Sequence, residues 1–348
     1  MTPNAATILP PLLRALTVLE FIARHLDPMT FDQMFASVGT PDDALREALH
    51  GIDGDDDPAA ISARLALSAF DAMRTAMANG DDLYAIYGAL RFLPRALEAL
   101  YPLASNDAVV NSFYLDPTLR GDADIVAQAA QRPRDGVTGV MHFDNERGSR
   151  GGYSLYVPEG YSPERPLPLV MALHGGSGHG RAFLWSWLRD ARSFEAIVVA
   201  PTATGRTWAL MGDDTDTPNL HRILDDVSAR WQIDATRLLL TGMSDGGTFC
   251  YVSGLEAGSR FTHLAPVSAT FHPMMASMAD AGRLDRLPIR ITHGARDWMF
   301  PVEVARRAAE ALAAAGADVD YGEIEDLSHC YPREINAALL KWLSETPR

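Results

Sequence analysis

Positive charge is what this sequence has least of. Thirty basic residues face 45 acidic ones, the net charge is −15, and Lys341 is the single lysine. A chain so short of cations does not present the concentrated basic surface that nucleic acid or an anionic membrane requires. Cysteine is nearly as scarce. Cys250 and Cys330 cannot make a disulfide framework, so reduced thiols in a cytoplasmic setting are the expectation. Long hydrophobic runs are missing too. The most apolar stretch, MTPNAATILPPLLRALTVLEFIARHL, has no basic leader, is interrupted by Pro10 and Pro11, and holds Arg14 and Glu20. Neither a signal peptide nor a membrane span is expected from it. No His/Cys/Asp set has metal-ligand spacing, no internal repeat is found, and no Lys-Ser or Lys-Thr follows a glycine-rich loop as a P-loop demands. No metal or other cofactor is expected.

What is present reads as two halves. Hydrophobic content of 47% and charged content of 22% are those of a soluble globular protein, and 348 residues allow one large domain or two ordinary ones. Residues 1–130 carry helical spacing and no chemical motif. Leu12, Leu16, Leu19, Ala23 and Leu26 recur at three or four, as do Ile61, Leu65, Ala69, Met73 and Met77, and then Leu83, Ile86, Tyr87, Leu90 and Leu97. Pro94 is expected to bend or end that last helix. GIDGDDDP, 51–58, is a turn-rich acidic connector. This helical domain is expected either to shield a cleft or to mediate homo-oligomer contacts.

From 131 to 348 the period changes. VTGVMHF and GGYSLYVP suggest a starting pair of strands. PLVMALHG, AIVVAPTA, RLLLTGM, HLAPVSA, IRITHGA and VDYGEI then alternate with helix candidates near 181–193, 218–232, 246–257, 302–315 and 332–345. Strands separated by crossovers of that length predict an α/β fold, a mostly parallel doubly wound sheet with helices on both faces. In such sheets reactive groups collect at the carboxyl ends of the strands.

One strand ends unusually. In TGMSDGG, Ser244 stands between Gly242 and Gly246 at a strand-to-helix junction, matching the G-x-S-x-G elbow that presents a nucleophile. A hydroxyl needs a base to take its proton, and in elbow proteins the order is serine, acid, histidine. Asp297, in THGARDWMFP, is the best acid. His329, in EDLSHCYP, is the only one of ten histidines beyond it. Asp326 is the nearest rival acid, but its closeness to His329 suits a turn. The glycines of ALHGGSGHG leave backbone N–H groups to face a ligand, so Gly176 and Asp245 are expected to form an oxyanion hole through their N–H groups. The Asp245 carboxylate must then point away from the developing negative charge. His179, Trp185, Trp187, Trp208, His272 and Trp298 follow strand ends and are candidates for the substrate pocket, although aromatics there more often pack as core or rim.

LHGGSG, GMSDGG, HGARD…P and SHCYP, in that order, resemble an α/β-hydrolase. The subgroup is similar to poly(3-hydroxybutyrate) depolymerases, feruloyl esterases and the phospholipase/carboxylesterase group. LDDVSARWQIDATRLLLTGMSDGG fits it as well: an acidic helix, a short link, then the elbow strand. The resemblance covers about residues 137–348 and implies a serine esterase. Secreted depolymerases of this type usually carry disulfides and a signal sequence. Their absence here favours a small soluble ester over an extracellular polymer. The same machinery could instead act on a thioester or peptide bond. A non-catalytic binding protein on the same scaffold is the rival of a different class.

Overall fold

The computed structural model describes residues 3–52, 56–80, 83–346 and 348. The chain divides into two compact units, Met1–Arg132 and Pro133–Arg348.

The first unit is helical: α1 (Pro3–Arg24), α2 (Phe31–Ser37), α3 (Asp43–Leu49), α4 (Pro58–Asn79), α5 (Leu83–Leu90), α6 (Phe92–Leu100), α7 (Ala108–Phe113) and α8 (Ala123–Ala129). Helix α4 is its axis, packed against α1, α3, α5 and α6. Ala59, Ala60, Ala63, Ala66 and Ala69 are fully buried along it, and residues that small let neighbouring helices approach closely. Segment Ala6–Arg24 of α1 is long and apolar enough to cross a membrane by composition alone. Here Ile8, Leu12, Leu16, Leu19 and Ile22 are fully buried along one stripe, while 39% of the segment's window is buried overall.

The helix break expected at Pro94 is present, one turn ahead of it. Pro10 and Pro11 lie inside α1 without ending it. The break after α5 falls at Arg91, and Pro94 sits in the first turn of α6, where an N–H has no helical partner to lose. Part of the 51–58 connector, residues 53–55, lies outside the described residues. Its end is well defined: Asp57 accepts from the Ala59 N–H, and Pro58 opens α4.

The second unit holds an eight-stranded sheet: β1 (Gly139–Phe143), β2 (Tyr153–Val157), β3 (Leu167–Leu173), β4 (Ile197–Pro201), β5 (Ile233–Met243), β6 (His263–Val267), β7 (Pro288–Gly294) and β8 (Asp318–Ile324), in the order β1-β2-β4-β3-β5-β6-β7-β8. β1 and β2 pair antiparallel with each other, and β2 with β4; all other pairings are parallel. Every residue of β3 is buried, so both faces of the sheet are covered, which is why these strands read as unbroken apolar runs.

The helices are α9 (Gly180–Phe183), α10 (Leu188–Ser193), α11 (Asp216–Arg230), α12 (Asp245–Gly254), α13 (Met274–Met278), α14 (Ala281–Leu284), α15 (Val302–Ala314) and α16 (Asn336–Glu345). The single helix expected over 181–193 is broken. A 3-10 turn, Leu184–Ser186, separates α9 from α10. α12 packs on β5 and β6, and α15 on β7 and β8.

Candidate active site

Ser244 adopts φ 57° and ψ −121° between β5 and α12. A non-glycine residue in that region costs about 1–3 kcal/mol, held here by packing and by its N–H donating to the Val267 carbonyl at 3.0 Å. The flanking glycines have a steric cause. A Cβ on Gly242 would lie 2.6 Å from the Gly246 carbonyl group. One on Gly246 would lie 2.5 Å from the carbonyl oxygens of both Leu173 and His174. The elbow therefore closes only when strand β5, helix α12 and the end of β3 meet without side chains between them.

Three distant residues converge at this turn. His329 Nε2 stands 3.0 Å from Ser244 Oγ, and His329 Nδ1 stands 2.9 and 3.0 Å from the two carboxylate oxygens of Asp297. All three are buried. With Nδ1–H donating to the carboxylate, Nε2 is left as the acceptor for the serine hydroxyl. Asp297 Oδ1 also accepts the N–H groups of Met299 and Phe300, at 2.9 and 2.8 Å. Burial pushes the Asp297 carboxyl upward. The hydrogen bond and charge of His329, with the Phe300 N–H, outweigh it and hold the group below the usual carboxylate value.

The chain between β3 and α9 makes a tight turn in which the Gly178 N–H donates to the Gly175 carbonyl at 3.0 Å. A Cβ on Gly175 would touch Ser244 Cβ at 3.6 Å, so the turn lies against the nucleophile position. Among the described residues, the N–H groups of Gly176 and Asp245 have no acceptor within the protein. The Asp245 carboxylate accepts from the Thr207 hydroxyl at 2.5 Å, and a Cβ on Gly176 would lie 2.7 Å from it. A side chain at 176 would have to displace that carboxylate, which the Thr207 hydroxyl holds by a hydrogen bond.

The candidate pocket residues divide. Trp298 is 40% exposed, with its ring 6.3 Å from that of His329. His272 is exposed and accepts the Met274 N–H. Trp185 and Trp208 are 2% exposed and Trp187 fully buried, so they pack inside the unit. Trp208 instead donates its indole N–H to the His174 carbonyl at 2.7 Å and stacks on Phe249. His179 caps α9 and reaches the carbonyls of Glu146 and Ser149, a structural tie between loops.

Two histidines escaped the sequence reading. His174, in LHGG, directs Nδ1–H to the Gly175 carbonyl at 2.7 Å and accepts the Ala203 N–H on Nε2 at 3.1 Å. Burial pushes its pKa down to about 4, so it is neutral at pH 7 and braces the turn. His293, in ITHG, is fully buried and holds the Phe300 carbonyl at 2.9 Å, fixing the turn that carries Asp297. The signal available was a histidine beside each glycine that follows a buried strand. Cys250 and Cys330 are buried and make no disulfide, and among the described residues no His/Cys/Asp/Glu group could hold a metal.

Residues 212–346, which include Ser244, Asp297 and His329, match the sequence profile of a family described as Phospholipase/Carboxylesterase. The chain is similar to a bifunctional acetylxylan esterase/xylanase of Neocallimastix patriciarum, 28% identical over 169 residues, 45% of this chain and 23% of that protein. It is similar also to feruloyl esterase C of Emericella nidulans, 25% identical over 158 residues, 43% of this chain and 56% of that one. It thus spans less than two thirds of the length of either relative. The crystal structure of a thermostable esterase shares the fold, with a TM-score of 0.50 at 22% identity over 60% of this chain and 63% of that one. The mostly parallel sheet and the elbow give residues 133–348 the α/β-hydrolase fold, and within it residues 212–346 are similar to the phospholipase/carboxylesterase family.

Proposed function

We propose that this protein is a serine carboxylesterase acting on small soluble esters through an acyl-enzyme on Ser244. The observation that carries the reading is the unbroken row from the Asp297 carboxylate through His329 to the Ser244 hydroxyl. Ser244 Oγ attacks the acyl carbon as His329 Nε2 takes its proton. The carbonyl oxygen becomes an oxyanion facing the Gly176 and Asp245 N–H groups. His329 then returns the proton to the departing alcohol, leaving the acyl group on Ser244. Water repeats the sequence, giving its proton to His329 and its oxygen to the acyl carbon, and Ser244 is released protonated. Asp297 keeps the imidazole in the tautomer that accepts from the hydroxyl and stabilises the imidazolium formed in each half. No step calls for a cofactor.

Ester hydrolysis should vanish in Ser244→Ala while the circular dichroism and unfolding midpoint stay those of the parent. A chain-length series of chromogenic esters, with acetyl and feruloyl esters included because the relatives' names carry them, reads the acyl preference. Acyl-thioesters and aminoacyl amides beside them test the related chemistries. Labelling by a fluorophosphonate should be confined to Ser244. Full hydrolysis by Ser244→Ala would remove the proposal.

A further inference from the structure

Arg150 lies in the loop between β1 and β2, outside every motif above. Its guanidinium is half-buried and spends all three nitrogens on backbone carbonyls. Nη1 donates to Gly178 at 2.9 Å, Nε to Gly205 at 2.6 Å and Nη2 to Arg206 at 3.1 Å. Among the described residues no carboxylate pairs with it directly; the buried Asp216, which accepts the Thr204 and Ala209 N–H groups, acts on it only through its charge. A half-buried cation whose hydrogen bonds all go to neutral carbonyls is costly to keep, so this arrangement calls for a reason.

The three carbonyls belong to two loops that meet at the oxyanion site. Gly178 closes the turn from Gly175 that carries Gly176, and Ser177 within that turn sits at φ 56°. Gly205 and Arg206 directly precede Thr207, whose hydroxyl holds the Asp245 carboxylate. A Cβ on Gly176 would lie 3.8 Å from Thr207 Oγ1, so the loops are in contact there. Neither loop has a sheet or helix ladder to fix it. The Arg150 charge also bears on His174 and His179, pushing both imidazoles further toward the neutral form after burial has done most of it.

We infer that Arg150 is a positioning residue of the oxyanion hole: its planar fork ties the 175–178 turn to the 205–207 loop and so sets where the Gly176 and Asp245 N–H groups point. The inference rests on the serine-hydrolase reading. A group that positions oxyanion donors acts on the transition state and hardly at all on the bound ester, so its loss should fall on kcat.

The test compares Arg150→Met and Arg150→Lys with the full-length parent. kcat should fall about ten- to a hundredfold in both, short of the loss of a whole oxyanion donor, with KM within about twofold. Affinity for a trifluoromethyl ketone, which forms an oxyanion on Ser244, should fall in the same proportion as kcat/KM, as should the rate of fluorophosphonate labelling. Lysine should restore little, because one ammonium on a flexible stem cannot span three carbonyls. If Arg150→Met unfolds, Arg150→Lys and Arg150→Gln carry the same comparison. Parental kcat in the variants, a loss confined to KM, or full rescue by lysine overturns the inference. A parent that hydrolyses esters and labels at Ser244 while the Arg150 variants match it sinks this inference alone. A parent inert to both sinks the hydrolase reading with it.

Discussion

The two units bury polar side chains for different ends. In the helical unit each such group is tied to local structure. Asp42, fully buried, binds Arg46 and Arg74. Asp107 caps α7 through the N–H groups of Val109 and Val110, and Ser62 donates to the Ala96 carbonyl. In the sheet unit His174, Ser244, His293, Asp297 and His329 are buried at the carboxyl ends of parallel strands or the loops beyond them, where Asp297, His329 and Ser244 form a row and the other two histidines brace its loops. The same burial that stabilises an architecture in one unit poises a reaction in the other. A buried polar residue is therefore informative through the partner it has, and burial alone says little.

The sharpest way to break this contrast is a matched pair. Asp297→Asn should lower kcat by about ten-thousandfold with little loss of stability, because the amide cannot hold His329 in the reactive tautomer. Asp42→Asn should leave kcat per folded molecule at the parental value and lower stability by about 1–3 kcal/mol, since Arg74 and Arg46 remain partly solvated. Equal effects of the two on kcat would erase the distinction. The pair is read by ester kinetics beside urea titration.

Acid should expose the sheet unit through its buried histidines. His174 and His263 are both held down at about 4 by burial, against about 6.5 when unfolded. As pH falls through 6.5 the unfolded chain takes up protons that the native state refuses. Stability should therefore be full above 6.5 and decline progressively toward pH 4, by up to about 1.4 kcal/mol for each unit of depression at each site. Asp297 and Asp42, whose native values are lowered, add a second loss of the same sign below the usual carboxylate range. Urea midpoints at pH 7.5, 6, 5 and 4 measure it, and a flat profile between 6.5 and 4 contradicts the histidine part. The smallest effect expected is at a cap: Asp107→Ala should cost about 1 kcal/mol and leave kcat unchanged, read by thermal unfolding.

Much of the sheet unit was legible because buried parallel strands leave contiguous apolar runs. The wholly buried β3, β4 and β6 coincide with such runs within a few residues, the exposed β8 does not form one, and the elbow is visible as a serine between two glycines that contacts from β3 make obligatory. The broken helix over 184–186 was not legible, since a 3-10 turn keeps the apolar spacing of its neighbours. The tryptophans misled for a related reason. Trp208 follows a strand end, as a pocket residue would, but its indole N–H found a carbonyl 34 residues earlier, at His174, and drew it inward. Arg150 and Thr207 gave no signal, because their partners belong to other loops.

Sequence by itself determined the two periods, the sheet order's raw material and the succession of serine, acid and histidine, since apolar spacing and steric need for glycine are local properties of the chain. Only the tertiary structure decided which imidazole meets Ser244 and which histidines brace the loops around it, because those distances come from how loops far apart in the chain pack at one edge of the sheet.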